Sequence, residues 1–129
     1  FKIPKNYKLT KDSDYEYAYL EGEGYADYHY RDTTYFTIEE NYQNSIESAK
    51  RTQNEKCSYN YEEFTLNINN KNIKAFTVEE NCEQYTLDYT FEARLFYPIN
   101  KNSNVEIWIT NYKKPYTKDE LKNFVDIKK

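Results

Sequence analysis

The chain has no methionine, two glycines, three prolines, two cysteines, one histidine and one tryptophan in 129 residues. Each scarcity excludes something. Two cysteines and one distant histidine fall short of a zinc ligand set, and without a CxxC they make no redox-active dithiol. GxSxG, HExxH and glycine-rich phosphate loops are all absent. No apolar run is long enough to span a bilayer. Acidic residues outnumber basic ones, 22 to 18, for a net charge of −4, so nothing favours nucleic acid, whose binders neutralise phosphates with Lys and Arg. With no methionine and a start at Phe1, the expectation is a processed or trimmed product whose targeting signals lie upstream. A lipid anchor there is compatible with this reading.

What the chain has instead is tyrosine: 16 residues, bringing the aromatic content to 19 %. Mean hydropathy is −1.12, a value shared with disordered chains. Those chains are poor in aromatics, however, and this one is not. Tyrosine carries apolar area that hydropathy scales undercount. The expected core is therefore Tyr, Phe, Leu and Ile, in one domain spanning residues 1–129. Abundant Lys, Asn and Tyr, with few Gly, Pro and Arg, also match the codon bias of a low-GC bacterial genome.

Two segments announce helices. "TIEENYQNSIESAKR" opens with Thr37 and, three residues on, Glu40, a capping box. Ile38, Tyr42, Ile46 and Ala49 recur at helical spacing. "TKDELKNFVDIKK" repeats the device with Thr117 and Glu120, and Leu121, Phe124 and Val125 form its stripe. Helices are predicted over 38–51 and 118–127.

The remainder reads as strands. In "YTLDYTFEARLFY", Tyr85, Leu87, Tyr89, Phe91, Ala93, Leu95 and Tyr97 alternate with Thr86, Asp88, Thr90, Glu92, Arg94 and Phe96. Period two held this long is a half-buried strand. "VEIWIT" follows as its hairpin partner. "EFTLNI–NN–KNIKAFTV" is a hairpin about Asn69-Asn70, because Asn tolerates positive φ. Early in the chain, Gly22 and Gly24 suggest a turn by positive φ. Pairing Leu20 with Tyr25 then sets Tyr17 against Tyr28 and Tyr15 against Tyr30 on one face, with Glu16, Asp27, His29 and Arg31 on the other. The fold class is α+β: an antiparallel meander with two helices, in the order ββ-α-ββββ-α.

The Asn69-Asn70 turn pairs Ile68 with Lys71. Counting back along both strands brings Cys57 opposite Cys82. Opposed Cβ atoms lie about 4.5–5.5 Å apart, close enough for a disulfide once the strands pucker locally. A disulfide implies an oxidising compartment, so the expected location is extracytoplasmic, at the cell surface or secreted. The absence of any Asn-x-Ser/Thr sequon fits a bacterium.

Against this order of elements, the chain resembles the PsbP/Mog1-like family of small α+β domains. The resemblance rests on the "FKIPKNYKL" opening and on the helix "TIEENYQNSIESAKR" followed by the "FTLNINNKNIKAFTV" hairpin. It rests also on the closing "YTFEARLFYPI…VEIWIT" pair with its final helix. The family's usual glycine in the mid-chain hairpin is Asn here, and the tyrosine-rich early hairpin is unusual. The resemblance implies a bacterial secreted protein or lipoprotein that binds or assembles, with no catalytic residues carried over. Cystatin-like and NTF2-like sheets are the competing architectures.

No catalytic constellation, cofactor or metal site emerges. His29 reads as a solvated strand residue. Asp12, Asp14 and Glu16 lack the glycine and bidentate glutamate of a calcium loop. Adjacent acidic pairs such as Glu62-Glu63 point to opposite faces of a strand. The binding candidates are Trp108, Arg94, Phe96 and Glu92. The final hairpin brings Trp108 across from Arg94 or Phe96, a grouping typical of interaction hot spots. The alternative is a second-layer core beneath a helix. Tyr15, Tyr17, Tyr28 and Tyr30 carry the same two readings: core packing, or an exposed row that meets protein or glycan. The expected partner is a protein or cell-envelope component, with a glycan as the alternative and an enzyme of unknown type as the third possibility.

Overall fold

The computed structural model describes residues 8–12, 15–20, 24–32, 37–53, 55–82, 88–101 and 103–125. For 8–12, 15–20, 30–32 and 88 only the backbone and its pairing enter the description. The predicted lead-in at 1–7, Asp14, Gly22, Tyr85, Leu87 and the last residues of the second predicted helix lie outside it.

Seven strands form one antiparallel sheet: β1 (Lys8–Asp12), β2 (Tyr15–Leu20), β3 (Gly24–Asp32), β4 (Cys57–Ile68), β5 (Lys71–Cys82), β6 (Asp88–Asn100) and β7 (Ser103–Asn111). Their spatial order is β1-β2-β3-β7-β6-β5-β4. Helix α1 (Ile38–Arg51) joins β3 to β4, and α2 (Lys118–Lys122) follows β7. The α+β class and both helices stand as read from sequence.

One strand was missed. β1, "KLTKD", has a single apolar residue and no alternation, so it carries no strand signal of its own. Edge strands are often short and lysine-bearing, which is how they avoid adding further chains.

Helix α1 starts at its capping box: Glu40 N–H donates to Thr37 Oγ1 (3.1 Å) and Thr37 N–H to Glu40 Oε1 (3.3 Å). It ends at Arg51, matching the predicted span. Its stripe packs on β5 and β6, where Tyr42 and Ile46 close over Phe76 and Phe96. The Tyr42 ring meets Phe76 and Phe96 edge-on, at 5.9 and 5.3 Å, contacts of about 0.5–1.5 kcal/mol each beyond buried area. Its hydroxyl donates to Glu63 at 2.7 Å. Burial, chiefly, and that carboxylate hold the phenol well above the ordinary tyrosine range.

Helix α2 packs on the opposite face. Leu121, Phe124 and Val125 join Tyr28, Leu66, Ile73, Leu95, Tyr97, Ile107 and Ile109 in the larger core. It is shorter than predicted. After Lys122 the chain tightens into i→i+3 bonds, Phe124 N–H to Leu121 O and Val125 N–H to Lys122 O, both 3.1 Å. Phe124 and Val125 remain buried beside Leu121 through that turn.

The early hairpin differs from expectation by one residue. Leu20 pairs with Gly24, Tyr19 with Tyr25, Tyr17 with Asp27 and Glu16 with Tyr28. The loop is therefore three residues, not four. Gly24 explains the slip. It serves inside the ladder, opposite Asn111, where an added Cβ would lie 2.0 Å from the Thr110 carbonyl oxygen. Close approach, not positive φ, requires the glycine. The tyrosine grouping dissolves as a result. Tyr15 and Tyr17 do not oppose Tyr30 and Tyr28: Tyr15 stands against Asp12, Tyr30 against Val105. Glu16 likewise leaves the row of His29.

Candidate functional site

The β4–β5 hairpin follows the reading from sequence. Asn69 and Asn70 adopt φ of 53° and 62°, both left-handed, as a two-residue turn with the twist of the strands requires. Cys57 pairs with Cys82 and the two form a disulfide with Cα atoms 4.2 Å apart. Such a short separation marks a non-hydrogen-bonded pair of the ladder. The Glu80 carboxylate lies 3.1 Å from the Cys82 sulfur. With the sulfurs bonded to each other neither is a thiolate, so this Cys–Glu cluster is no metal ligand set while the disulfide stands.

The sheet face beneath α1 holds the binding candidates. In the β6–β7 hairpin Arg94 pairs with Trp108, Glu92 with Thr110 and Phe96 with Glu106, which decides between the two registers left open above. Arg94 lies 4.1 Å from the Trp108 ring and 5.7 Å from that of Phe76. It donates to Glu92 Oε1 at 2.6 Å and to Ser45 Oγ of α1 at 2.7 Å. The guanidinium thus spans from the helix to the indole, 14 % exposed against 28 % for its carboxylate partner. Phe96, only 1 % exposed, belongs to the core under α1 and offers nothing to an outside partner. Tyr28 is likewise core, 5 % exposed, its hydroxyl donating to the Phe124 carbonyl at 3.1 Å.

Trp108, Arg94 and Glu92 are half-buried, between the two readings considered for them. On the side away from α1 they meet residues that sequence reasoning left out of the group. β3 pairs with β7, placing Asp27 opposite Trp108, His29 opposite Glu106 and Tyr25 opposite Thr110. The His29 ring is 4.8 Å from Trp108, so the imidazole packs on indole instead of standing in solvent. Trp108 Nε1–H donates to Glu106 Oε2 at 3.3 Å, and Glu106 is 6 % exposed. At the end of the strip Tyr25 and Tyr112 meet with ring centroids 6.3 Å apart, and Tyr112 is 49 % exposed. Burial holds the Asp27 carboxyl above its ordinary range. Burial also raises the Tyr112 phenol, reinforced by Tyr25 and Asp27. The joining of β3 to β7 spans most of the chain, and nothing local in either strand announces it.

The arrangement is a rigid aromatic and guanidinium centre with carboxylates around it. Trp108, Arg94 and Glu92 sit on neighbouring strands, with Arg94 held by Glu92 and Ser45 and Trp108 hydrogen-bonded to Glu106. No described helix is long and apolar enough to cross a membrane. No protein-family model matches the chain, and no curated protein matches it in sequence.

Proposed function

We propose that the chain is a non-catalytic binding or adaptor domain, exported from a bacterial cytoplasm as a secreted protein or lipoprotein. Its contact surface for a partner protein or envelope component is the strip of Trp108, Arg94, Glu92, Asp27, Tyr25 and Tyr112. The observation that carries this reading is Trp108, half-buried and pinned between the Arg94 guanidinium and the His29 ring. Tryptophan and arginine in a preorganised setting are the residues most often found at the energetic centre of interfaces. Asp27, half-buried opposite Trp108 with its carboxyl raised by burial, adds a carboxylate to the strip. The Cys57–Cys82 disulfide supports an oxidising, extracytoplasmic setting. Kinship with PsbP/Mog1-like domains is part of the proposal, and an antiparallel sheet with a helix on each face is compatible with it.

The test is Trp108→Ala and Tyr112→Ser in pull-downs from the producing organism's cell envelope. Loss of a partner that the wild-type chain recovers is expected, and unchanged recovery refutes the strip as a contact surface. A glycan-binding reading has its own observation: Tyr59 and Tyr61 on β4 hold their rings within 21° of parallel, centroids 6.4 Å apart. Retention on immobilised cell-wall polysaccharide that Tyr59→Ala abolishes would favour it.

A further inference from the structure

The two edges of the sheet are unlike. β1 is five residues with lysines at positions 8 and 11, a blunted edge. β4, at the other edge, is twelve residues with no glycine or proline, and only Leu66 and Ile68 of it are buried. Its hairpin is closed at both ends, by the Asn69-Asn70 turn and by the disulfide. Because Cys57–Cys82 is a non-hydrogen-bonded pair, ladder alternation turns the N–H and C=O groups of odd-numbered β4 residues away from β5. Tyr61, Glu63, Thr65 and Asn67 therefore present backbone donors and acceptors at the edge. Among the described residues no strand pairs with that side. Both helices flank it. Tyr61 accepts from Gln53 at 2.8 Å just past α1, and Lys118 of α2 lies 5.0 Å from the Phe64 ring and 3.4 Å from the Glu62 carboxylate.

We propose that β4 is a strand-addition site for an extended segment of another protein that carries lysine or arginine at its centre. The charges select this occupant. Two copies of β4 can pair antiparallel about a two-fold axis over all but one end residue of each in only two registers. One sets Glu62 against Glu62 and the other Glu63 against Glu63, and like charges directly opposite are destabilising. A basic strand turns the same two carboxylates into cross-strand ion pairs. Its other side chains would rest beside Tyr61 on one face and Phe64 on the other. Main-chain bonds would supply affinity and the glutamates the choice of partner.

The probe is a short synthetic peptide of alternating threonine and valine with a central lysine pair, added to the intact, oxidised protein. Amide hydrogen exchange should slow at Tyr61, Glu63, Thr65 and Asn67. The same peptide with central glutamates should bind at least about tenfold more weakly. Glu62→Lys should reverse that preference without touching the Glu63–Tyr42 bond. Trp108→Ala should leave it unchanged, which separates this site from the strip proposed above. Unaltered exchange along β4, indifference to the charge exchange, or self-assembly without peptide (a second copy as the occupant) would each overturn the proposal.

Discussion

Gly24 carries more of the fold than its size suggests. The Thr110 carbonyl oxygen occupies the space any Cβ there would need, at the place where β3 joins β7. Gly24→Ala must push two strands apart, and we expect a loss of about 1–3 kcal/mol, the usual range for overpacking, read from urea unfolding. An unchanged midpoint would mean the two strands are farther apart. Asp27 makes the opposite kind of prediction. Its carboxyl is raised by burial, so the folded state holds that proton more tightly than the unfolded chain. The stability it contributes is present below the ordinary carboxylate range and is lost as pH rises through the raised value. Asp27→Asn should therefore raise the unfolding midpoint at pH 7, with the difference closing near pH 3. An equal effect at both pH values would contradict the burial argument. Neither residue's role could be read locally. Gly24 looks like a turn glycine and Asp27 like a solvated strand residue until β7 is placed beside them.

At the scale of elements, what was legible is what is local. The β4–β5 hairpin followed from an Asn-Asn turn and apolar phase, and its register carried the two sulfurs to each other. Both helix starts followed from capping boxes, and the α1 span from its stripe. The β2–β3 hairpin failed for a physical reason: a one-residue change in loop length moves every side chain of a strand to the other face. That change was set by Gly24 packing on a distant strand. The disulfide closes a loop with a sequence separation of 25. Its removal in Cys57→Ala/Cys82→Ala should cost about 3 kcal/mol on loop-closure arguments. The loss should appear as faster amide exchange at the open end of β4–β5, with the Asn69-Asn70 end less affected. Uniform loosening of the whole sheet would show that the bond does more than close one hairpin.

For the whole molecule, the governing feature is one sheet with a helix on each face, each covering only part of it. α1 closes over β5 and β6, with Ala49 of its last turns beside Tyr61 of β4, while α2 seals the larger core on the other side. Trp108 lies beyond the α1 core, half-buried between Arg94 and His29. The α+β class was legible from helix and strand periodicities. The candidate site was legible only on its β6–β7 side, where Arg94, Glu92 and Trp108 are hairpin neighbours. Its β3 side depends on a pairing between the first third and the last fifth of the chain. The central claim, that this half-covered strip is where the protein meets its partner, can be measured through its sole tryptophan. Biosynthetic 5-fluorotryptophan gives one ¹⁹F resonance, from Trp108 alone. Titrated with a solubilised envelope extract of the producing organism, that resonance should shift or broaden, and should do neither in the presence of an excess of unlabelled protein. A resonance that stays sharp and unmoved while the protein is retained by the same extract would place the contact elsewhere and contradict the account.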